Sequence, residues 1–412
     1  MKQDIILVTI DALRYDSPPL MPNTKEYFGS EGQTEAITSG AATNWVFPGI
    51  LSGSYYTNAY NDSGTLRDQL TTLPDVLGEQ GYATGAFLGY NPYLYKWQNR
   101  FDEFWNGGIS NDTEDWYSNP LKKWLNRGYR TVLLKKRVPG RDVIKRAQTW
   151  YHNQSKPRFL WVHLMEPHKP YYPGLKAGNE IGLLPVYRSI INLQRLGDNV
   201  SNRDVDIQRN LYRKCVSVAD KLISDLLNSL EDDNTVMVLG DHGEEFDHGH
   251  LGHERLYDEC VRVPLFFKNF SGLIQSGDVR QIDIPATLLR DRSIDVPDSW
   301  DGQRVTPLED NPALMLTPEP SAELFHAGIR TDSKKLIYTF DRDTGQKQRT
   351  EYYNLSNDPT EHHNLSQQTE NRHLESSLSE FITTHEHALS MNAETGVNSA
   401  TVEERLQNLG YK

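Results

Sequence analysis

Cysteine is almost absent from the sequence: Cys215 and Cys260 are the only two in 412 residues. That excludes a disulfide framework and a cysteine-rich zinc module. No apolar run approaches the roughly 18 residues that a membrane helix needs. Internal repeats and low-complexity tracts are missing as well. Basic charge is outnumbered, with 43 Lys and Arg against 56 Asp and Glu for a net charge of −13. A chain this acidic is a poor nucleic-acid coat, because neutralising phosphates needs a positive surface. The N-terminus passes from Met1-Lys2-Gln3-Asp4 directly into the apolar run Ile5–Ile10. That run is too short for a signal-peptide core and is followed by no small-residue cleavage site, which predicts a cytoplasmic protein.

What is present suffices for a large core. Hydrophobic residues make up 37% of the chain and aromatics 10%, and about 150 residues per domain predicts two to three domains, or one large α/β unit with an appendage. Residues 5–10 form an unbroken β-branched and aliphatic run, as expected of a central strand covered on both faces. Similar short buried runs recur at Tyr82–Leu88, Arg158–Leu164 and Thr235–Leu239. Helical patterns precede them at Leu73–Gly81, Arg141–His152 and Leu211–Leu230. This alternation predicts a doubly wound, mostly parallel sheet, in which ligands bind beyond the carboxyl ends of the strands. Asp11, Asn91, His168 and Asp241 each follow a predicted strand. Four prolines between Thr306 and Pro320 suggest a boundary, giving a catalytic unit over 1–315 and a smaller α+β unit with a short antiparallel sheet and helical tail over 316–412. One stretch, 121–146, carries ten basic residues against the single acid Asp142. It reads as a basic insertion, either a solvated helical face or an anion-steering surface.

The densest chemistry lies in Gly240-Asp241-His242-Gly243-Glu244-Glu245-Phe246-Asp247-His248-Gly249-His250-Leu251-Gly252-His253. Carboxylate and imidazole groups directly after a buried strand are the donors a divalent cation takes. On its own the segment reads equally well as a polar loop, Asp11 as a turn residue and Thr43 as a helix N-cap.

Taken in order, these pieces resemble the sulfatase family of the alkaline phosphatase superfamily. Ile10-Asp11-Ala12-Leu13-Arg14 with Asp16 is similar to its first metal-binding strand end, and Met21-Pro22-Asn23-Thr24 to its Thr-Pro-Asn turn. Ile50-Leu51-Ser52-Gly53 is similar to the close of its nucleophile motif. Asp241-His242-Gly243-Glu244 is similar to its second metal motif, and Leu256–Leu265 to its Val-Pro-Leu strand. Tyr353-Asn354-Leu355 through Leu365 and the terminal Leu409-Gly410-Tyr411 complete the series. The departures matter as much. The nucleophile position falls on Thr43, where sulfatases carry a Cys or Ser that becomes formylglycine. The branched Cβ of Thr would give a ketone instead of that aldehyde, and Thr nucleophiles occur in the phosphoesterase branches of the superfamily. Gly89-Tyr90-Asn91-Pro92 replaces a Lys-Trp-His motif, Asp11-Ala12 replaces an Asp-Asp pair, and Gly252-His253 replaces Gly-Lys.

The resemblance implies a metal-dependent hydrolase or transferase of phosphate mono- or diesters with Thr43 as nucleophile. Asp11, Asp241 and His242, with Thr43, would hold one divalent ion (Ca, Mg, Mn or Zn). A second metal at His248 and His253 is the lesser expectation. His168 and His253 are candidates to protonate the leaving oxygen or contact the oxyanion, and Asn91 is a candidate substrate contact. The substrate would be an anionic small-molecule or polymer ester. Two other readings remain open: a sulfate-ester hydrolase using Thr43 directly, and an inactive member that binds metal or anion.

Overall fold

The computed structural model describes residues 2–107, 120–155, 157–273, 278–368 and 371–386. The terminal Leu409-Gly410-Tyr411 lies outside them. An eight-stranded sheet runs in the order β4-β3-β5-β1-β6-β7-β2-β8. The strands are β1 (Ile5–Ile10), β2 (Gln33–Ile37), β3 (Ala83–Leu88), β4 (Glu103–Asn106), β5 (Arg158–Leu164), β6 (Thr235–Gly240), β7 (Arg262–Lys268) and β8 (Val279–Arg280). Its centre is parallel, with β1 paired to β5 on one side and β6 on the other. Only β7 runs against its neighbours, β6 and β2. A second sheet, β12-β11-β10-β9, is antiparallel; it comprises β9 (Ala313–Glu319), β10 (Leu324–Arg330), β11 (Lys334–Asp341) and β12 (Lys347–Asn354). The predicted α/β class is therefore what the chain adopts.

Side-chain alternation along β1 explains its uninterrupted hydrophobicity. Ile5 and Leu7 join one apolar cluster with Trp45, Phe47 and Trp161. Ile6, Val8 and Ile10 join another with Ile144, Leu211 and Cys215. Neither face is solvated, so the strand is apolar except at Thr9, whose hydroxyl is hydrogen-bonded within the core. The flanking helices follow from local signals. Helix Leu73–Glu79 starts at a reciprocal cap between Thr72 and Asp75, and helix Asn202–Leu227 at a Ser201 cap on the Asp204 amide.

β9 occupies much of the proline-rich stretch that reads as a boundary, and it spans positions 315 and 316. Its edge position makes this possible. Leu316 N–H points away from β10 to Ser39 O (3.0 Å). Pro318 has the same parity, so the ladder does not need the N–H it lacks.

Candidate active site

Because β3, β5, β1 and β6 are parallel neighbours, the residues after their carboxyl ends converge at one place. Asp11, Asp241 and His242 are fully buried there, with ligand atoms all within 4.8 Å of one another. Ala12, at φ 59°, turns its N–H onto Asp241 Oδ1 (3.2 Å), and the His242 N–H donates to the same oxygen (2.8 Å).

Thr43 is the first residue of helix Thr43–Ser52, whose N-cap is Ala42. The N-cap reading of Thr43 therefore fails. Its Oγ1 lies 3.2 Å from Asp11 Oδ2, 3.1 Å from Asp241 Oδ2 and 3.3 Å from His242 Nε2.

Three observations fit this cluster to a divalent cation. Asp11 Oδ1 is buried without a hydrogen-bond partner. His242 Nδ1 sits 2.8 Å from Gly243 O; a carbonyl only accepts, so Nδ1 carries the proton and Nε2 keeps a lone pair facing the carboxylates. The two carboxylates also repel. Burial disfavours ionised Asp11, but His168, His163 and His242 outweigh it and hold its carboxyl well below the usual range. Burial, then the charge on Asp11, pushes Asp241 up to about 7. Protonation or a cation relieves such a pair.

His168 and His253 flank the cluster. His168 Nε2 is 3.9 Å from Asp11 Oδ1, and burial first of all lowers it to about 4. His253 packs on the His242 ring at 4.2 Å between centroids and on the His168 ring at 5.7 Å. Burial acts to lower His253, but Glu244 overcomes this and raises it. Lys169 Nζ, donating to Leu251 O (2.6 Å), ties the His168 loop to the His253 loop. Asn91 Nδ2 is directed inward at Asp11 Oδ2 (3.3 Å), while its Oδ1 accepts the Tyr93 N–H.

Sequence reasoning missed three residues here. His163 is wholly buried, with Nδ1 2.8 Å from Thr9 Oγ1. Thr9 Oγ1 accepts from Trp161 Nε1 (2.9 Å), and its proton is within reach of both His163 Nδ1 and Val162 O (3.5 Å). His163 Nε2 faces Asp11 Oδ2 at 3.5 Å. The signal was a histidine inside the apolar strand β5. Gln281 Nε2 donates to Gly240 O and Asp241 O, both at 3.0 Å, and fixes the turn that carries Asp241. Glu244, noted only as part of the motif, lies 3.6 Å from His253 Nδ1.

His248 and His253 do not share a cluster among the described residues. His248 instead meets Glu245 and Glu259. Its Nδ1 faces Glu259 Oε1 (2.5 Å) and its Nε2 faces the carbonyl of Thr360 (3.1 Å). Both partners are acceptors, so both ring nitrogens carry protons and neither has a lone pair for a cation. Arg14 pairs with Glu259 (2.6 Å) and Arg255 with Glu245, so this cluster is neutralised by the protein itself.

A family model described as "Sulfatase" matches residues 3–290, and one described as "N-sulphoglucosamine sulphohydrolase, C-terminal" matches 246–388. No curated protein matches the chain in sequence. Among solved structures, the chain is similar to BT4656 in complex with its substrate D-glucosamine-2-N,6-O-disulfate, at 18% identity and TM-score 0.67 over 97% of this chain and 100% of that one. It is also similar to the phosphonate monoester hydrolase of Agrobacterium radiobacter (16%, TM-score 0.67, covering 94% and 96%). A third similar structure is BT1596, a 2-O GAG sulfatase (15%, TM-score 0.68, covering 94% and 93%). At these identities the structures establish a shared fold, while the family model spans well over half of the sequence. The chain belongs to the sulfatase family of ester hydrolases.

Proposed function

We propose that this chain cleaves phosphate mono- or diesters through direct attack by Thr43. The observation that carries the reading is the placement of Thr43 Oγ1 within 3.1–3.3 Å of Asp11, Asp241 and His242. Asp11, Asp241 and His242 would hold one divalent cation, which when bound supplies Lewis acidity to the ester oxygens and lowers the pKa of the hydroxyl. His163 and Asn91 hold Asp11 in place. In the first half-reaction the Thr43 hydroxyl gives up its proton to solvent, its oxygen bonds to phosphorus, the bond to the leaving oxygen breaks, and the leaving oxygen takes up a proton. His253, whose hold on a proton Glu244 strengthens, is placed to give it, and neutral His168 to donate a hydrogen bond. Water, or an acceptor alcohol in a transferase, then attacks phosphorus and frees Thr43.

A second reading, sulfate-ester hydrolysis by Thr43 itself, is favoured by the names of both matching family models. The A. radiobacter phosphonate hydrolase supports the phosphorus reading, as does the branched Cβ of Thr43, which bars the formylglycine route. Two measurements separate them. Release of phosphate from p-nitrophenyl phosphate or its diester should exceed release of sulfate from the sulfate ester. Quenched reactions should show a phosphoryl adduct on the Thr43 peptide, absent in Thr43→Ala. Full activity in Thr43→Ala, or sulfate release alone, would refute the proposal.

A further inference from the structure

All six large hydrophobic side chains exposed among the described residues lie on three connected helices. Tyr129 and Val132 belong to helix Pro120–Leu133, Leu175 to helix Leu175–Ile181, and Leu184, Ile191 and Leu196 to helix Leu183–Leu196. Leu184 is 81% exposed, far from the single half-covered leucines normal on a surface. The helices form one unit. Tyr187 donates to Val132 O (2.5 Å), Gly174 N–H to Leu134 O (2.9 Å), and only Gly182 separates the second helix from the third.

The same helices invert the charge of the protein. Helices Pro120–Leu133 and Leu183–Leu196 contain basic residues and no acid, in a chain of −13. On helix Leu183–Leu196 the residues Leu184, Arg188, Ile191 and Arg195 fall at i, i+4, i+7 and i+11. All four are exposed, while Val186, Ser189 and Ile190 face the core. The nearby acids are already engaged: Glu180 with Lys214 (2.5 Å), Asp198 with His250 (2.6 Å), and Asp204, close enough to Arg188 to feel its charge, with Ser201 (2.7 Å) and Asn192 (3.1 Å).

We propose that this face docks on an anionic phospholipid surface. Alternating arginine and aliphatic side chains on an outward helix face match a bilayer interface, where charge meets headgroups and apolar groups enter the acyl boundary. A hydrated polyanion would leave Leu184 and Ile191 without a partner. A second copy would bring this basic face against itself, where like charges repel. No helix among the described residues is long and apolar enough to cross a membrane, so the contact is peripheral. The loop after the first of these helices is tied to the candidate site. Lys136, just after helix Pro120–Leu133, donates to His168 O and to Pro170 O, so the His168 loop would be held beside the headgroup layer. The inference concerns the surface and stands apart from the chemistry assigned to Thr43.

Co-sedimentation of the full chain with vesicles tests it. One set is pure phosphatidylcholine and the other contains roughly one-third phosphatidylglycerol, at low and high salt. The expected result is roughly tenfold more protein on the anionic vesicles, reduced by salt. Leu184→Gln with Ile191→Gln, and separately Arg188→Gln with Arg195→Gln, should each remove most of that binding without changing the circular dichroism melt. Equal binding to both vesicles, or to neither, would overturn the proposal. So would anionic binding that the apolar pair leaves untouched, which would mark a site for soluble polyanions such as heparin. A dimer dissolved by Leu184→Gln, with no vesicle binding, would assign the face to a second copy and overturn it too.

Discussion

Glu244 stands 3.6 Å from His253 Nδ1, fully buried, with neither carboxylate oxygen holding a hydrogen bond. The family motif that this stretch resembles has a lysine where His253 stands, and an amine, ordinarily cationic up to about pH 10, depends less on a partner for its charge than an imidazole, which ordinarily titrates at about 6.5. Burial disfavours ionised Glu244, but His253 outweighs it and lowers its carboxyl, while His253 is raised. Glu244→Gln keeps the shape and removes the charge, so kcat on a p-nitrophenyl ester should fall roughly 10- to 100-fold with a smaller change in KM. Because the raised value of His253 depends on Glu244, the alkaline limb of the kcat profile should move to lower pH. An unchanged profile would mean that Glu244 only fills space.

Metal binding should depend on Asp241. The measurement is stoichiometry by elemental analysis after dialysis, comparing the parent with Asp241→Ala. The parent should hold one divalent ion per chain and the variant should hold far less, with affinity lowered at least 100-fold as about 3 kcal/mol of coordination is lost. Equal occupancy in both would remove Asp241 from the ligand set. His248→Ala should leave the stoichiometry unchanged, because both of its ring nitrogens already donate.

Lys136 separates two readings of the basic segment. The expectation of an exposed, steering stretch fits Lys135, which is exposed. It does not fit Lys136, which is partly covered and holds the His168 loop through two carbonyls. Burial, against several acidic neighbours, lowers its amine. Arg137 lies over the Tyr90 ring, 3.6 Å from its centroid. Lys136→Met should lower kcat roughly tenfold at every ionic strength, since loop geometry rather than long-range attraction is lost. Lys135→Gln should leave kcat unchanged and alter kcat/KM only at low salt.

The antiparallel sheet is joined to the main body through buried charge. Lys335, wholly buried on β11, donates to Asp258 and Glu361, both at 2.6 Å, and Arg330 pairs with Asp258 at 3.0 Å. Burial opposes the ionisation of Asp258, yet Lys335 and Arg330 hold its carboxyl below the usual range. Burial pushes Glu361 up to about 7 despite Lys335. Removing Lys335 leaves Glu361 without its cation and Asp258 with Arg330 alone, so Lys335→Met should lose about 3–5 kcal/mol in denaturant unfolding. The sign with pH follows from Glu361. Its folded value lies above its unfolded value of about 4.5, so its contribution is favourable below that value and is lost as pH rises through about 7. Without Lys335 the folded value rises further, and the destabilisation should be larger at pH 8 than at pH 5. A pH-independent loss would assign the effect to packing.

Local pattern was enough for the strands β1, β5 and β6 and for the residues that follow them. A central strand buried on both faces is a nearly continuous apolar run, and in a parallel sheet the next polar residues emerge at the ligand-binding edge. That made Asp11, Asp241 and His242 legible along the chain. β9 was not legible, because the prolines that read as a break are tolerated only on an edge, and edge position is a property of the sheet. His163 was hidden for a similar reason. In its own strand it is one more buried residue; only the register that sets it beside Thr9 brings its Nε2 to within 3.5 Å of Asp11. The sequence by itself determined which groups could do chemistry and the order of the strands that carry them. Which of those groups meet, which histidine keeps a lone pair and which lysine is buried were decided by tertiary contacts between residues far apart in the chain, whose distances no local periodicity encodes.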